Sequence, residues 1–265
     1  MGSERQKSGI VARAGRWYRG SLLEPALGVL FPPRCVGCGD FETHLCSRCR
    51  GKLIPAWPGG CPRCGEPGPR PILTGRCSHC MGKTVGFAGA QSAFQHHGVT
   101  RKLVAEFKFG GQPVLGRVMA RLAAPAFGAY VDSLGPRGSV LVTWVPAHRS
   151  AERERGYNQA AVLARALAQE AGGLPIAGAA RKVAATRHQQ RLDRAGRQAN
   201  LRGAFKMPED FRLPPGIQSL LLVDDVYTTG ATADEVSSVL ATGTALPIYV
   251  FTFSRALSGN AEGHD

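Results

Sequence analysis

Two adjacent carboxylates, Asp224 and Asp225, stand between an apolar run and a short polar stretch. The run is Leu220, Leu221, Leu222 and Val223; the stretch, after Val226, is Thr228, Thr229, Gly230, Ala231 and Thr232. Carboxylates accept hydrogen bonds from sugar hydroxyls, and threonine hydroxyls and free backbone amides donate to phosphate. Gly230 permits positive φ and a close approach of backbone to ligand. These residue types together suit the two ends of a ribose 5-phosphate.

Certain elements must hold these groups. An unbroken apolar run bounded by polar residues suits a strand buried on both faces of a parallel sheet. A helix should follow, with Thr232 as N-cap and Glu235 completing a capping box; Val236, Val239 and Leu240 then repeat at helical spacing. Free amides and the positive end of a helix dipole converge at such a loop and favour an anion. No Gly-Lys-Ser/Thr follows, so this is no P-loop. A receiver domain opens on its acidic strand, whereas here only about a quarter of a typical ~150-residue domain remains downstream. A threonine-rich turn without a ligand is the plain alternative. The stretch 220–232 resembles the phosphoribosyl-diphosphate (PRPP) motif of type I phosphoribosyltransferases.

The second chemical feature is cysteine. All eight cysteines fall in residues 35–80 as four C-x-x-C pairs: Cys35/Cys38, Cys46/Cys49, Cys61/Cys64 and Cys77/Cys80. Two residues between thiolates let both sulfurs face one tetrahedral ion. Gly39 and Gly65 suit tight knuckles whose amides face the sulfurs. A segment this short and rich in Gly and Pro has little core of its own, so metal would hold it together. Sequential pairing gives the quartets Cys35, Cys38, Cys46, Cys49 and Cys61, Cys64, Cys77, Cys80, and spacing leaves a cross-braced pairing open. Structural zinc, two ions per chain, is favoured over disulfides, redox pairs and iron–sulfur ligation. His44 and His79 read as surface residues, because eight thiolates already fill two sites.

The rest of the chain supplies walls for a crevice. Residues 140–145 read as an apolar strand ending at Pro146. A loop of mixed charge follows, then a helix over 158–171, so the loop lies at the carboxyl end of a strand, where open α/β sheets bind ligands. His148, Arg149 and Arg155 there are candidates to hold diphosphate. Residues 181–206 are strongly basic (Arg181, Lys182, Arg187, Arg191, Arg194, Arg197, Arg202, Lys206 against Asp193) and suit a cationic lid. Phe205 begins a strand. Between 86 and 130, Phe87 to Phe94 suggest strand and Leu103 to Leu122 suggest helices broken at Gly110 and Gly111, where Lys108 could stand at the site mouth. Residues 247–253 form a last strand. Residues 1–31 begin basic and become apolar, as in a short helix packing on the main domain.

Composition agrees. Lys plus Arg at 33 against Asp plus Glu at 19 gives a net charge of +14, which suits anionic partners such as phosphates or nucleic acid. No apolar run approaches the ~20 residues of a membrane span, and no secretory signal is recognisable. The expected location is the cytoplasm.

With four C-x-x-C pairs, VPAH…RERGYNQ, T-x-x-Q-x-x-L…R-x-x-N-x-x-GAF and VDDVYTTGAT in this order, the chain resembles the ComF family from about residue 22 to 255. The pattern is met at Arg155, Gly156, Asn158, Gln159, Thr186, Gln189, Leu192, Arg197, Asn200, Gly203, Ala204 and Phe205. Tyr157 stands where phenylalanine is common and Phe109 where tyrosine is common; both keep an aromatic ring. The resemblance implies an α/β fold: a type I phosphoribosyltransferase-like parallel sheet with helices on both faces, after a small zinc ribbon. It implies divisions at 1–31, 32–84 and 85–265, and a role in competence and DNA uptake.

Read as an enzyme, such a chain would bind Mg²⁺-PRPP and transfer phosphoribosyl to an acceptor the motif does not specify. Residues 228–232 would hold the 5-phosphate, Asp224 and Asp225 the ribose hydroxyls, with Arg197 and Lys108 as further catalytic candidates. The rival is an adaptor that binds single-stranded DNA through the ribbon and a basic surface; such binding uses stacking aromatics, of which the ribbon offers Phe41 and Trp57 but few others. A homodimer is open in either case.

Overall fold

The computed structural model describes residues 32–56, 60–66, 77, 80–82, 84–184 and 201–257. The expected helix within 1–31, Trp57, His79, Thr186, Gln189, Leu192, Arg197 and Asn200 lie outside them, as does the middle of the basic stretch.

The core is a parallel sheet in the order β1-β6-β5-β2, formed by β1 (Gly89–Gln95), β2 (Val140–Trp144), β5 (Ser219–Tyr227) and β6 (Ile248–Arg255). Its apolar residues alternate between faces, as the period of two requires. Val140, Val142, Leu221, Val223, Phe251 and Phe253 meet α2 (Gly98–Phe109), α3 (Val114–Leu134) and α5 (Gln159–Glu170) on one face. Leu141, Leu220, Leu222, Ile248 and Val250 meet α6 (Ala231–Thr244) on the other. Helices therefore cover both faces, and the run from Leu220 to Val223 is apolar because neither side of β5 sees water. Each such side chain contributes about 1.5–3 kcal/mol on burial.

The order of connections creates a crevice. After β2 the chain passes through α4 (Arg149–Arg155) and α5 and returns outside β2, where Ile176 makes a parallel bridge to Val142. After β5 it passes through α6 on the opposite face and returns to β6 on the other side. The strand order thus reverses between β2 and β5. In open α/β sheets ligands bind outside the carboxyl ends of the strands at such a switch point.

Three local expectations need correction. The stretch after Pro146 is not all loop, because residues 149–155 wind into α4, with the Nδ1 of His148 accepting from the Ser150 N–H at 3.3 Å. Thr232 is not an N-cap: Gly230 takes that position at φ 80° without a side-chain cap. Glu235 therefore closes no capping box, and its carboxylate accepts from the Gly203 N–H at 2.8 Å instead. Strand β5 also does not end with the apolar run at Val223 but continues through both aspartates to Tyr227, and Asp225, 6% exposed, is buried. The short hairpin of β3 (Arg181–Lys182) and β4 (Phe205–Lys206) bounds the basic stretch, with Phe205 in a strand as expected. Ahead of the sheet, the Cys-rich segment contributes a single turn of helix, α1 (Ser47–Arg50).

Candidate functional site

The two cysteine quartets form by sequential pairing. The sulfurs of Cys35, Cys38, Cys46 and Cys49 lie within 4.8 Å of one another, as do those of Cys61, Cys64, Cys77 and Cys80. Four sulfurs about 2.3 Å from one zinc ion stand roughly 3.8 Å apart. The separations found are 3.6 Å for Cys35–Cys46, 3.7 Å for Cys61–Cys80 and 3.5 Å for Cys64–Cys77. All eight cysteines are free of disulfides. Each quartet therefore fits one structural zinc ion in size and donor chemistry. The knuckle amides also act as expected: burial would raise the Cys35 thiol, but the N–H groups of Cys46, Cys38 and Gly37 outweigh it and bring it down to about 6. Gly39 and Gly65 take φ of 84° and 72°. His44 is half-buried rather than a surface residue, and it belongs to neither quartet.

At the switch point, β5 carries Asp224, half-buried, and Asp225, buried, ahead of the buried Tyr227. Burial first, and then the Asp225 charge, push the Asp224 carboxyl up to about 7, while Lys108 and the Asp225 N–H pull the other way. That N–H donates to Asp224 Oδ1 at 2.9 Å. Lys108 does reach the acidic pair, from the last turn of α2 rather than from a turn beyond it: its Nζ lies 2.8 Å from Asp225 Oδ1. The following residues, Val226, Thr228, Thr229, Gly230, Ala231 and Thr232, lead from the strand into α6, where the Thr229 hydroxyl accepts from the Ala231 N–H at 3.4 Å. A Cβ on Gly230 would stand 2.2 Å from the Tyr227 hydroxyl, so the glycine is required by space as well as by φ.

Across the crevice, a cleft of 460 Å³ opens at the end of β2 beside Pro146, His148, Arg149, Asn158, Arg181 and Lys182. This is the size of a small-molecule site, and the sequence-expected His148 and Arg149 line it. The acidic pair does not. Arg155 is drawn elsewhere: its guanidinium lies 5.2 Å from the Phe109 ring centre and donates to the Gln159 side chain at 3.3 Å.

Sequence reasoning missed His96 and Arg255. His96 follows β1 at the crevice end, with Nδ1 2.9 Å from the Ser254 hydroxyl. Arg255 ends β6 and is fully buried, its Nε 2.8 Å from Glu66 of the ribbon. The one available signal for Arg255 was a cation closing an apolar strand.

Residues 26–81 match the double zinc ribbon family. The DNA utilization protein YhgH of Salmonella typhimurium is 28% identical over 197 residues, 74% of this chain and 84% of that protein. Competence protein F of Haemophilus influenzae is 27% identical over 227 residues, 84% of this chain and 97% of that protein. The YhgH protein of Escherichia coli K12 is 25% identical over 74% of this chain and 84% of its own length. A double ribbon set before a parallel α/β sheet, with relatives of these two names aligned over most of the length, is the organisation in which this chain resembles the ComF family.

Proposed function

We propose that the crevice between β2 and β5 binds PRPP with Mg²⁺ and transfers the phosphoribosyl group to an acceptor nucleophile, whose bond to C1 replaces the bond to the departing diphosphate. The observation that carries this reading is the order found along one strand end: Asp224, Asp225 paired to Lys108, then the Gly230 loop opening α6. Residues 228–232 would grip the 5-phosphate through backbone amides and threonine hydroxyls. Asp224 and Asp225 would accept from the ribose hydroxyls. Mg²⁺, held mainly by phosphate oxygens and water, would supply charge neutralisation of the leaving group. Loss of diphosphate leaves an oxocarbenium-like C1, as in glycoside cleavage. The chain's own task is then to bind, orient and stabilise charge, with His148 and Arg149 facing the diphosphate and Arg197, outside the described residues, as a further candidate. Arg155 stays a weaker candidate for diphosphate because it already has partners.

The relatives' printed names concern competence and DNA utilization, and a role in DNA uptake is proposed here on that ground and on the net charge of +14. A second reading, single-strand binding without transfer, draws on exposed Phe41, whose ring lies 4.1 Å from the Arg34 guanidinium.

Calorimetry with Mg²⁺-PRPP on wild type and Asp225→Asn separates the readings. Binding that the substitution weakens supports the site. Absence of heat from folded wild type refutes it.

A further inference from the structure

We infer that Arg255 couples the second cysteine quartet to the 228–232 loop, so that metal in that quartet and phosphate at the loop favour each other. The inference deepens the ribose-phosphate reading above and rests on it.

Arg255 is the last residue of β6 and has 0% exposure. A buried guanidinium is costly unless its donors are satisfied and its charge is paired. Among the described residues, every polar partner of its side chain belongs to the ribbon. Nε and Nη2 donate to Glu66 Oε2 at 2.8 and 2.5 Å, and Nη1 donates to the Cys64 carbonyl. Nη2 also lies 4.0 Å from the Cys64 sulfur, one of the quartet. The segment 61–66 can hold these acceptors in place only while it is folded, and small ribbons of this kind fold on metal.

The other face of the guanidinium rests 4.3 Å from the centre of the Tyr227 ring. Tyr227 immediately precedes the loop, and its hydroxyl fills the space a Cβ on Gly230 would need. The Tyr227 carbonyl also accepts from the N–H of Ala256, the residue after Arg255, at 2.9 Å. Ligand sulfur, guanidinium, tyrosine ring and loop glycine are thus in consecutive contact. If metal leaves, the acceptors at Cys64 and Glu66 loosen. The guanidinium must then turn toward water, and Tyr227 loses the face that positions it under the loop. The first quartet provides an internal control, since it packs on Val99 of α2 instead.

Arg255 is a positioning residue, because it acts through Tyr227. Linkage makes the coupling reciprocal, which gives a readout that a merely structural arginine would not move. The test follows zinc release to a chelator from the full chain, alone and with Mg²⁺-PRPP or ribose 5-phosphate. The second-site ion is identified by its loss in Cys77→Ser. We expect ligand to slow release of that ion by roughly fivefold or more, the lower end of common coupling factors, and to leave the first-site ion unchanged. Arg255→Met should abolish the slowing and weaken PRPP binding by a similar factor, and Arg255→Lys should restore part of both. Should Arg255→Met fail to fold, Glu66→Gln, which leaves the bond to the Cys64 carbonyl, carries the same expectations. PRPP that binds wild type without altering release of either ion overturns the coupling and spares the site. Wild-type PRPP affinity in a folded, zinc-loaded Arg255→Met protein does likewise. No binding of PRPP or ribose 5-phosphate to zinc-loaded wild type overturns both.

Discussion

Lys108 and Asp225 meet at 2.8 Å although 117 residues separate them, and the pair joins the last turn of α2 to the crevice end of β5. Asp225 is almost fully buried and the lysine is about a quarter exposed, so the ion pair is better shielded than a surface one. Removing only the lysine would leave a buried carboxylate without its cation. Lys108→Met is therefore expected to destabilise the fold by about 3–5 kcal/mol, read as a lower denaturation midpoint. Lys108→Arg should keep most of that stability.

Asp224→Asn and Asp225→Asn should each weaken Mg²⁺-PRPP binding by roughly ten- to a hundredfold, the value of one charge-assisted hydrogen bond of about 1.5–3 kcal/mol. Thr229→Val should weaken it less. Calorimetry on zinc-loaded proteins checks all three. Unchanged affinity in both asparagine variants would place the ligand elsewhere.

The raised carboxyl of Asp224 makes stability depend on pH in a definite direction. Its folded pKa of about 7 lies above the ordinary value of 3.8, so the folded state holds the proton more tightly than the unfolded one. The stabilisation is complete below about pH 4 and is lost as pH rises through 7. Asp224→Asn cannot lose it. The melting temperature of wild type relative to this variant should fall between pH 4 and 7 and level off above. A difference that rises over that window contradicts the assignment.

Metal analysis should find two zinc ions per chain. The geometry also changes what loss of one site should do. A ribbon that folded as an independent module would let Cys61→Ser leave PRPP binding mostly intact. With Arg255 reaching Cys64 and Glu66, the same substitution should weaken PRPP binding, and Cys35→Ser should weaken it less.

Gly230→Ala places a side chain at φ 80° and drives it against the Tyr227 hydroxyl. The backbone strain alone costs on the order of 1–3 kcal/mol. We expect a lower melting temperature and loss of phosphate affinity at the loop, whereas Gly138→Ala, with open space and no positive φ, should change neither.

The sequence made some of this legible and hid the rest for physical reasons. The strand through Leu222 was readable because burial on both faces forces an unbroken apolar run. The cysteine quartets were readable because thiolates at C-x-x-C spacing have few other uses. The sequence placed Lys108 only at the site mouth; its pairing with Asp225 was not legible, since helix α2 carries the lysine across a long sequence distance. The N-terminus of α6 was misread because a threonine and a glutamate three apart imitate a capping box, while Gly230 provides the start through its conformation. Arg255 was invisible as an anchor, because nothing local tells a buried cation from one at a solvated strand end.

Among the described residues the strand made last, β6, sits between β1 and β5 and hydrogen-bonds to both. Until those residues leave the ribosome, β1 and β5 cannot be neighbours, and each presents an unpaired edge. The ribbon is synthesised early, yet the arginine that reaches its Glu66 arrives 189 residues later. A nascent chain can therefore gather its metal-binding segment long before it can close its sheet. Shortening the chain by its last strand should leave an open, aggregation-prone intermediate rather than a slightly smaller protein.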